Sequence, residues 1–371
     1  MGKLCCIFNY APHYRLSIYK KVEDALDADF YFASKLRGQA AAGIKKLDFS
    51  QLKNFKKEFN PIFFSIFEYV PGWIGLAFNK KYNRYLITPN QFSINQWIFL
   101  FFCFLLRKKV YVWMHGLTTK KGVSKKTLFL WKLYDKFLAG SFLYGYKAKE
   151  VMTEFGFKES KMHIIYNSLD YDKQLEQRLL QKENLIYKDY FKNNNPVLLF
   201  IGRLTKQKKL QQLVDVYYNL KEKGQGVNVV FIGDGPEQEV LENSIQPIDK
   251  VNFWFTGAMY EEKEIAKYLY NADLCISPGD VGLTAIHCLS YGLPIISNDN
   301  CDIQMPEHEA IEEGVSGDFF VEDDINDLSC KIISWLANNK DRNIVRERCY
   351  KVIDTKYNPY TQVEIFKNIM Q

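Results

Sequence analysis

The sequence predicts an α/β protein built from two doubly wound parallel sheets, and three observations carry that expectation. Between residues 196 and 299, short apolar runs alternate with segments of helical spacing, the pattern of a βαβαβ chain. The first half repeats the alternation less regularly. The length, 371 residues, exceeds what one hydrophobic core usually supports, so two domains are expected.

Taken in order, LCCIFN, DFYFAS, PIFFSIFEY, RYLITP, KKVYVWMHG and MHIIYNS are candidate strands of the first half. Helices are expected around Leu16 to Leu26, Ser93 to Leu106 and Lys125 to Leu143. The stretch from Leu175 to Asn195, ending in FKNNNP, is polar and turn-prone and marks the junction. Beyond it, PVLLFIGRL, VNVVFIGDG, VNFWFTGAM, LCISP and PIISND are near-continuous apolar runs, as strands buried on both faces require. KKLQQLVDVYYNLKEKG, PEQEVLENSI, EEKEIAKYLYNA and LTAIHCLSYG lie between them with helix-like spacing. The expected organisation is a first domain over 1–180, a second over 195–355, and a terminal helix over 356–371 that crosses back onto the first. Ligands would then bind at the carboxyl ends of both sheets, in a central cleft.

Composition narrows the class. Apolar residues at 47% and charged residues at 25% are those of a soluble globular protein. The eight cysteines form no CxxC pair, which excludes a disulfide scaffold or zinc ribbon and suits a reduced cytoplasm. WIFLFFCFLL, the longest apolar run, is too short for a membrane span, and LCCIFN reads as a first strand rather than a signal peptide. The net charge of +6 conceals an asymmetry: residues 1–170 hold 27 Lys and Arg against 12 Asp and Glu, and the remainder is acidic. The basic half calls for an anionic partner.

Two stretches carry phosphate-binding chemistry. FIGRLTKQKKL places Arg203 and Lys208 just after a strand, where a guanidinium and an ammonium can grip a diphosphate; the same residues would also suit a solvated basic turn. In SPGDVGLTAIHCLSYGLP, Gly279 and Gly282 allow close backbone approach, and the N–H groups of Gly282, Leu283 and Thr284 open a helix whose dipole favours an anion. Thr284 offers a hydroxyl as well. Asp280 reads as a helix cap or a partner for a sugar hydroxyl, and His287 as a buried helix histidine or a ligand contact.

With IGDGP, FTG and EGVSGDFF in the same order, these stretches resemble the retaining family 4 glycosyltransferases of GT-B fold, most strongly from Pro196 to Phe320. The resemblance implies that Arg203 and Lys208 neutralise the leaving diphosphate of a nucleotide-sugar donor, with no metal and no cofactor. It implies that His115 of WMHGL contacts the donor sugar, that Asn167 lies near the cleft, and that Glu309, five residues before Gly314, serves the donor. The family's glutamate pair is replaced by Gly279 and His287, leaving Asp280 and His287 as the available substitutes. The first βα loop, NYAPHYR, lacks the family's paired glycines, and His13, Tyr14 and Arg15 form a candidate lid or acceptor contact. Together with QMPEHEAI, the pattern is similar to bacterial transferases that build capsular or lipid-linked surface polysaccharides. A GT-B sugar-nucleotide epimerase and a non-catalytic GT-B binding subunit stay open, the latter favoured by the missing glutamates.

The basic first half fits a membrane-linked acceptor such as a polyprenyl-diphosphate glycan. TTKKGVSKKTLFLWKLYDKFL carries six lysines, with Lys125, Lys132 and Lys136 on one helix face, as an amphipathic helix on an anionic membrane would. The expected location is cytoplasmic, at the inner face of the plasma membrane. No zinc spacing, RRM-like aromatic motif or recognition helix points to nucleic acid.

Overall fold

The computed structural model describes residues 2–37, 44–117 and 122–370. In the first unit, Met1–Asp170 with Pro359–Gln371, the elements are β1 (Lys3–Phe8), α1 (Leu16–Leu26), β2 (Ala28–Ala33), β3 (Phe55–Phe59), β4 (Ile62–Phe64), β5 (Phe67–Tyr69) and α2 (Trp73–Leu76). They continue with β6 (Tyr82–Ile87), α3 (Ile94–Leu105), β7 (Lys109–Met114), α4 (Lys125–Asp135), β8 (Gly140–Leu143), α5 (Tyr146–Glu154) and β9 (Met162–Ile164). Seven of the strands form a parallel sheet in the order β3-β2-β1-β6-β7-β8-β9. The order reverses between β1 and β6, the switch point at which an open α/β sheet leaves a crevice. The period of two along β1 sends Leu4, Cys6 and Phe8 into one core and Cys5 and Ile7 into the other, so both faces of the sheet are buried.

Three expectations for this unit are corrected. PIFFSIFEY is not a sheet strand. It folds as the antiparallel hairpin β4–β5, because Ser65 turns the chain at φ +50°, and Ile62, Phe64, Ile66 and Phe67 remain exposed. The sheet strand beside β2 is β3, whose sequence FKKEF carries three charges and lacks an apolar pattern. The helix expected over Lys125 to Leu143 stops at Asp135, and GSFL becomes β8, buried along its whole length. Gly140 belongs there because a Cβ would sit 3.1 Å from the Lys161 carbonyl of the next strand's approach.

The second unit, Tyr171–Asn358, contains α6 (Tyr171–Leu180), α7 (Ile186–Phe191), β10 (Val197–Ile201), α8 (Gln211–Glu222), β11 (Asn228–Ile232), α9 (Gln238–Ser244), β12 (Phe253–Gly257) and α10 (Glu262–Asn271). It closes with β13 (Leu274–Ser277), α11 (Leu283–Ser290), β14 (Ile295–Asn298), β15 (Gly317–Phe320), α12 (Ile325–Asn338) and α13 (Arg342–Thr355). Its six-stranded parallel sheet runs β12-β11-β10-β13-β14-β15, with the switch point between β10 and β13. Every residue of β10, β11, β13 and β14 is buried, which explains their continuous apolar sequence.

The division between units falls at Asp170, ahead of the polar stretch. That stretch folds as α6 and α7 rather than as a linker. Gln174 is buried and accepts from the Ser290 hydroxyl at 3.1 Å, Arg178 grips Asp354 at 3.0 Å, and the Tyr187 hydroxyl donates to Tyr268 O at 2.8 Å. The last helix, α14 (Pro359–Met370), lies against α1 in the first unit. Phe366 is fully buried, 4.7 Å from Phe142 and 5.3 Å from Trp113 between ring centres. The buried Arg84 donates to Met370 O at 2.7 Å and to Gly2 O at 3.1 Å, fixing both chain ends with charge-assisted bonds.

Candidate active site

At the switch point of the second sheet, two loops are locked together by their backbones. The loop after β10 runs through Arg203 to a short 3-10 turn, Lys206–Lys208; the loop after β13 runs from Pro278 to Gly282. Gly279 N donates to Lys208 O at 3.0 Å, and a Cβ on Gly279 would lie 2.0 Å from Gln207 O. Only glycine fits this contact. A glutamate at this position would collide with the turn, so its replacement by Gly279 is coupled to the close seating of Lys208.

IGDGP supports the same loop from below. Gly233 and Gly235 adopt φ of +137° and +156°, and a Cβ on either would lie 2.0 or 2.2 Å from the carbonyls of Gly202 and Leu204. Gly202 N and Leu204 N donate to Ile232 O and Asp234 O at 2.9 and 2.7 Å. Arg203 is therefore presented on a fixed backbone. Its side chain is exposed, and among the described residues no hydrogen bond or ion pair engages its guanidinium.

Helix α11 begins beside it. Its N-cap is Gly282, with no side-chain cap, so the N–H groups of Gly282, Leu283 and Thr284 have no intrahelical acceptor. Asp280 does not cap this helix. It faces Lys208, whose ammonium donates to Asp280 O at 2.6 Å and lies 3.2 Å from Oδ1. Thr284 is corrected as well: its hydroxyl donates to Ile201 O at 3.1 Å and ties the helix to β10. The site is thus an uncapped helix end, an unpaired guanidinium, and an ammonium with N–H capacity left over, all suited to an anion.

Residues distant in sequence hold the loop in place, and the sequence gave no local sign of them. Asn298 Nδ2 donates to Pro278 O and Gly279 O at 2.8 and 2.9 Å. Gln304 accepts from Val281 N at 2.7 Å and donates to Gly279 O at 3.2 Å. The carboxylate that approaches the start of α11 is that of buried Glu307, with Oε2 4.0 Å from where a Cβ on Gly282 would lie. Glu309 is half-buried in the same turn, Pro306–Ala310.

His287 meets a partner that the sequence did not reveal. Its Nε2 lies 3.0 Å from Oε1 of Glu262, in the first turn of α10, and the Tyr291 hydroxyl donates to the same oxygen at 2.6 Å. Burial opposes the Glu262 charge, but the hydrogen bond and charge of His287, with the Tyr291 bond, outweigh it and hold the carboxyl at about 2. The chain so places a carboxylate beside the residue that stands where the family has its second glutamate.

The first unit has its own pocket, of about 330 Å³, at the carboxyl ends of β1, β6, β7 and β8. Tyr14, Arg15, Trp113, His115 and Tyr144 are among its lining residues. Arg15 lies in the turn His13–Arg15, donates to the Tyr144 hydroxyl, and stands 4.9 Å over the Trp113 ring. It is a fixed wall of this pocket rather than a mobile lid. His13 is exposed and its Nδ1 lies 3.1 Å from Lys45 O, outside the pocket lining. His115 sits at the mouth, open to solvent on one side and 4.5 Å from the Tyr144 ring centre on the other. Enclosure by the walls, and then the Arg15 charge, push its pKa down to about 4. Asn167 is buried after β9, with Oδ1 accepting from Ser168 N at 2.9 Å.

Comparison with known proteins accords with this geometry. Residues 181–352 match the family model for glycosyl transferases group 1. The chain carries a glycosyltransferase domain. It is 25% identical over 298 residues to an uncharacterised 41.2 kDa protein in the cps region of Klebsiella pneumoniae, covering 78% of this chain and 72% of that one. Among solved structures, it is similar to HepE from Anabaena in complex with UDP, with a TM-score of 0.72, 13% identity and 99% of each chain covered. It is similar also to the lipopolysaccharide outer core galactosyltransferase WaaB, with a TM-score of 0.70, 13% identity and 99% of each chain covered. The two α/β units are those of a GT-B glycosyltransferase fold.

Proposed function

We propose that this glycosyltransferase moves a sugar from a nucleotide-diphosphate donor to a hydroxyl of a glycan or polyprenyl-diphosphate-linked acceptor, with retention of configuration, in bacterial surface polysaccharide synthesis. The observation that carries the donor side is the exposed, unpaired Arg203 beside the uncapped start of α11. The cps-region relative and the UDP bound by HepE support the polysaccharide and nucleotide parts of the reading.

The chemistry asks for stabilisation of charge. As the glycosidic C–O bond to the β-phosphate breaks, negative charge grows on the phosphate oxygens. Arg203 meets it with a bidentate fork, the first-turn N–H groups of α11 with fixed dipoles, and Lys208 with its remaining N–H. These groups balance the leaving diphosphate without a metal ion, and the departing phosphate oxygen accepts the proton of the attacking acceptor hydroxyl. His115, held neutral, serves a sugar as a hydrogen-bond partner instead of a cation. Glu262 and His287 take the hydroxyl-binding role of the absent glutamates. An acceptor of this kind places the enzyme at the inner face of an anionic membrane.

The test is thermal stabilisation by UDP, GDP and dTDP, followed by slow hydrolysis of the matching sugar donors, with and without EDTA. One nucleotide at about 100 times its Kd should add roughly 2.7 kcal/mol of stability, and EDTA should leave donor hydrolysis unchanged. No binding and no turnover with any donor would favour a non-catalytic subunit.

A further inference from the structure

Helix α3 buries one face and leaves the other without a partner. Asn95, Phe99, Leu100 and Cys103 point into the unit, whereas Ile94, Ile98, Phe101, Phe104 and Leu105 are between 38% and 59% exposed, in a stripe at helical spacing. Phe78, 51% exposed, extends the stripe through Phe102, 4.8 Å away between ring centres. Single exposed apolar residues are ordinary on a soluble surface, but a continuous aromatic row is not.

Helix α4 lies alongside, joined by Trp97 at 5.2 Å from Tyr134 and 6.4 Å from Phe137. Ser124 caps it, accepting from Thr127 N. Its outward face carries Lys125, Phe129, Lys132 and Lys136, all exposed, with Phe129 at 67%. Among the described residues, no carboxylate pairs with any of these three lysines.

We infer that the first unit docks on an anionic bilayer through these two helices, the α3 ridge entering the upper acyl region while the α4 lysines rest on lipid phosphates. At 12 residues, α3 is about 18 Å long, too short to span a hydrocarbon core of about 30 Å. No helix among the described residues is long and apolar enough to cross a membrane. An apolar ridge bordered by unpaired lysines is the pattern of a helix lying in the interface. A self-paired dimer on this face would bring like charges together, which disfavours a second copy as the occupant. The inference rests on the membrane side of the proposed function and adds to it a contribution that salt does not screen.

Co-sedimentation of the full chain with vesicles of phosphatidylglycerol and phosphatidylcholine, at low and high salt, tests it without donor or acceptor. Wild type should bind at low salt and keep a measurable fraction at high salt. Phe101→Ser with Phe104→Ser should lose that salt-resistant fraction, about tenfold for each residue. Lys125→Ala with Lys132→Ala and Lys136→Ala should weaken low-salt binding by about fivefold for each lysine. Melting temperature and circular dichroism should match wild type in both variants, because the altered side chains are exposed. If the serine variant binds like wild type, insertion is overturned while electrostatic docking stands. If wild type binds no vesicle, both are overturned. A dimer in sedimentation equilibrium that the serine variant abolishes would assign the face to a second copy, and nucleotide binding would report separately on transfer.

Discussion

At the scale of single residues, the site divides into groups that the chain shows locally and groups that only folding assembles. Arg203, Lys208 and the glycines around α11 were legible because each sits in a short run with one chemical reading. Glu262 was not, since 25 residues separate it from His287 and nothing local links a helix start after FTG to a histidine one turn into α11. Its charge has a consequence for stability. A carboxyl held at about 2 in the folded state and near its ordinary 4.5 unfolded stabilises the protein fully above pH 5, and that contribution is lost as the pH falls toward 2. The size is roughly 3 kcal/mol. Urea unfolding of Glu262→Gln should be less stable than wild type at pH 7, with the gap closing between pH 5 and 2. A gap independent of pH would mean that the pairing with His287 does not hold the carboxylate.

Among the elements, burial decided which were readable. Strands β10, β11, β13 and β14, covered on both faces, announce themselves by unbroken apolar sequence. FKKEF pairs as β3 at an edge where charges tolerate solvent, and PIFFSIFEY looks like a core strand yet lies on the surface as a hairpin. Polar residues at 171–191 form helices because Gln174, Arg178 and Tyr187 find partners far along the chain. The loop elements of the site make their own demand. Gly279→Ala places a methyl 2.0 Å from Gln207 O, which forces the Lys206–Lys208 turn away from the loop before α11. The expected outcome is a loss of about 1–3 kcal/mol in stability together with weaker nucleotide binding, read by calorimetry. Unchanged binding would separate the turn from the site.

For the whole molecule, the account places one task on each unit: an anion-binding switch point in the second, and a sugar-sized pocket with a basic, apolar surface in the first. The charge asymmetry along the sequence foreshadowed this division, but it pointed to lysines alone. The aromatic stripe of α3 hid inside a run that read as core. The central claim is that the loops after β10 and β13 clamp a diphosphate, and Arg203→Ala measured by isothermal titration with UDP, GDP and dTDP tests it most directly. The side chain is exposed, so the variant should fold and melt as wild type does. The account expects affinity for the preferred nucleotide diphosphate to fall by about 10²-fold or more, the scale of a lost charge-assisted fork. Wild-type affinity in Arg203→Ala would contradict it.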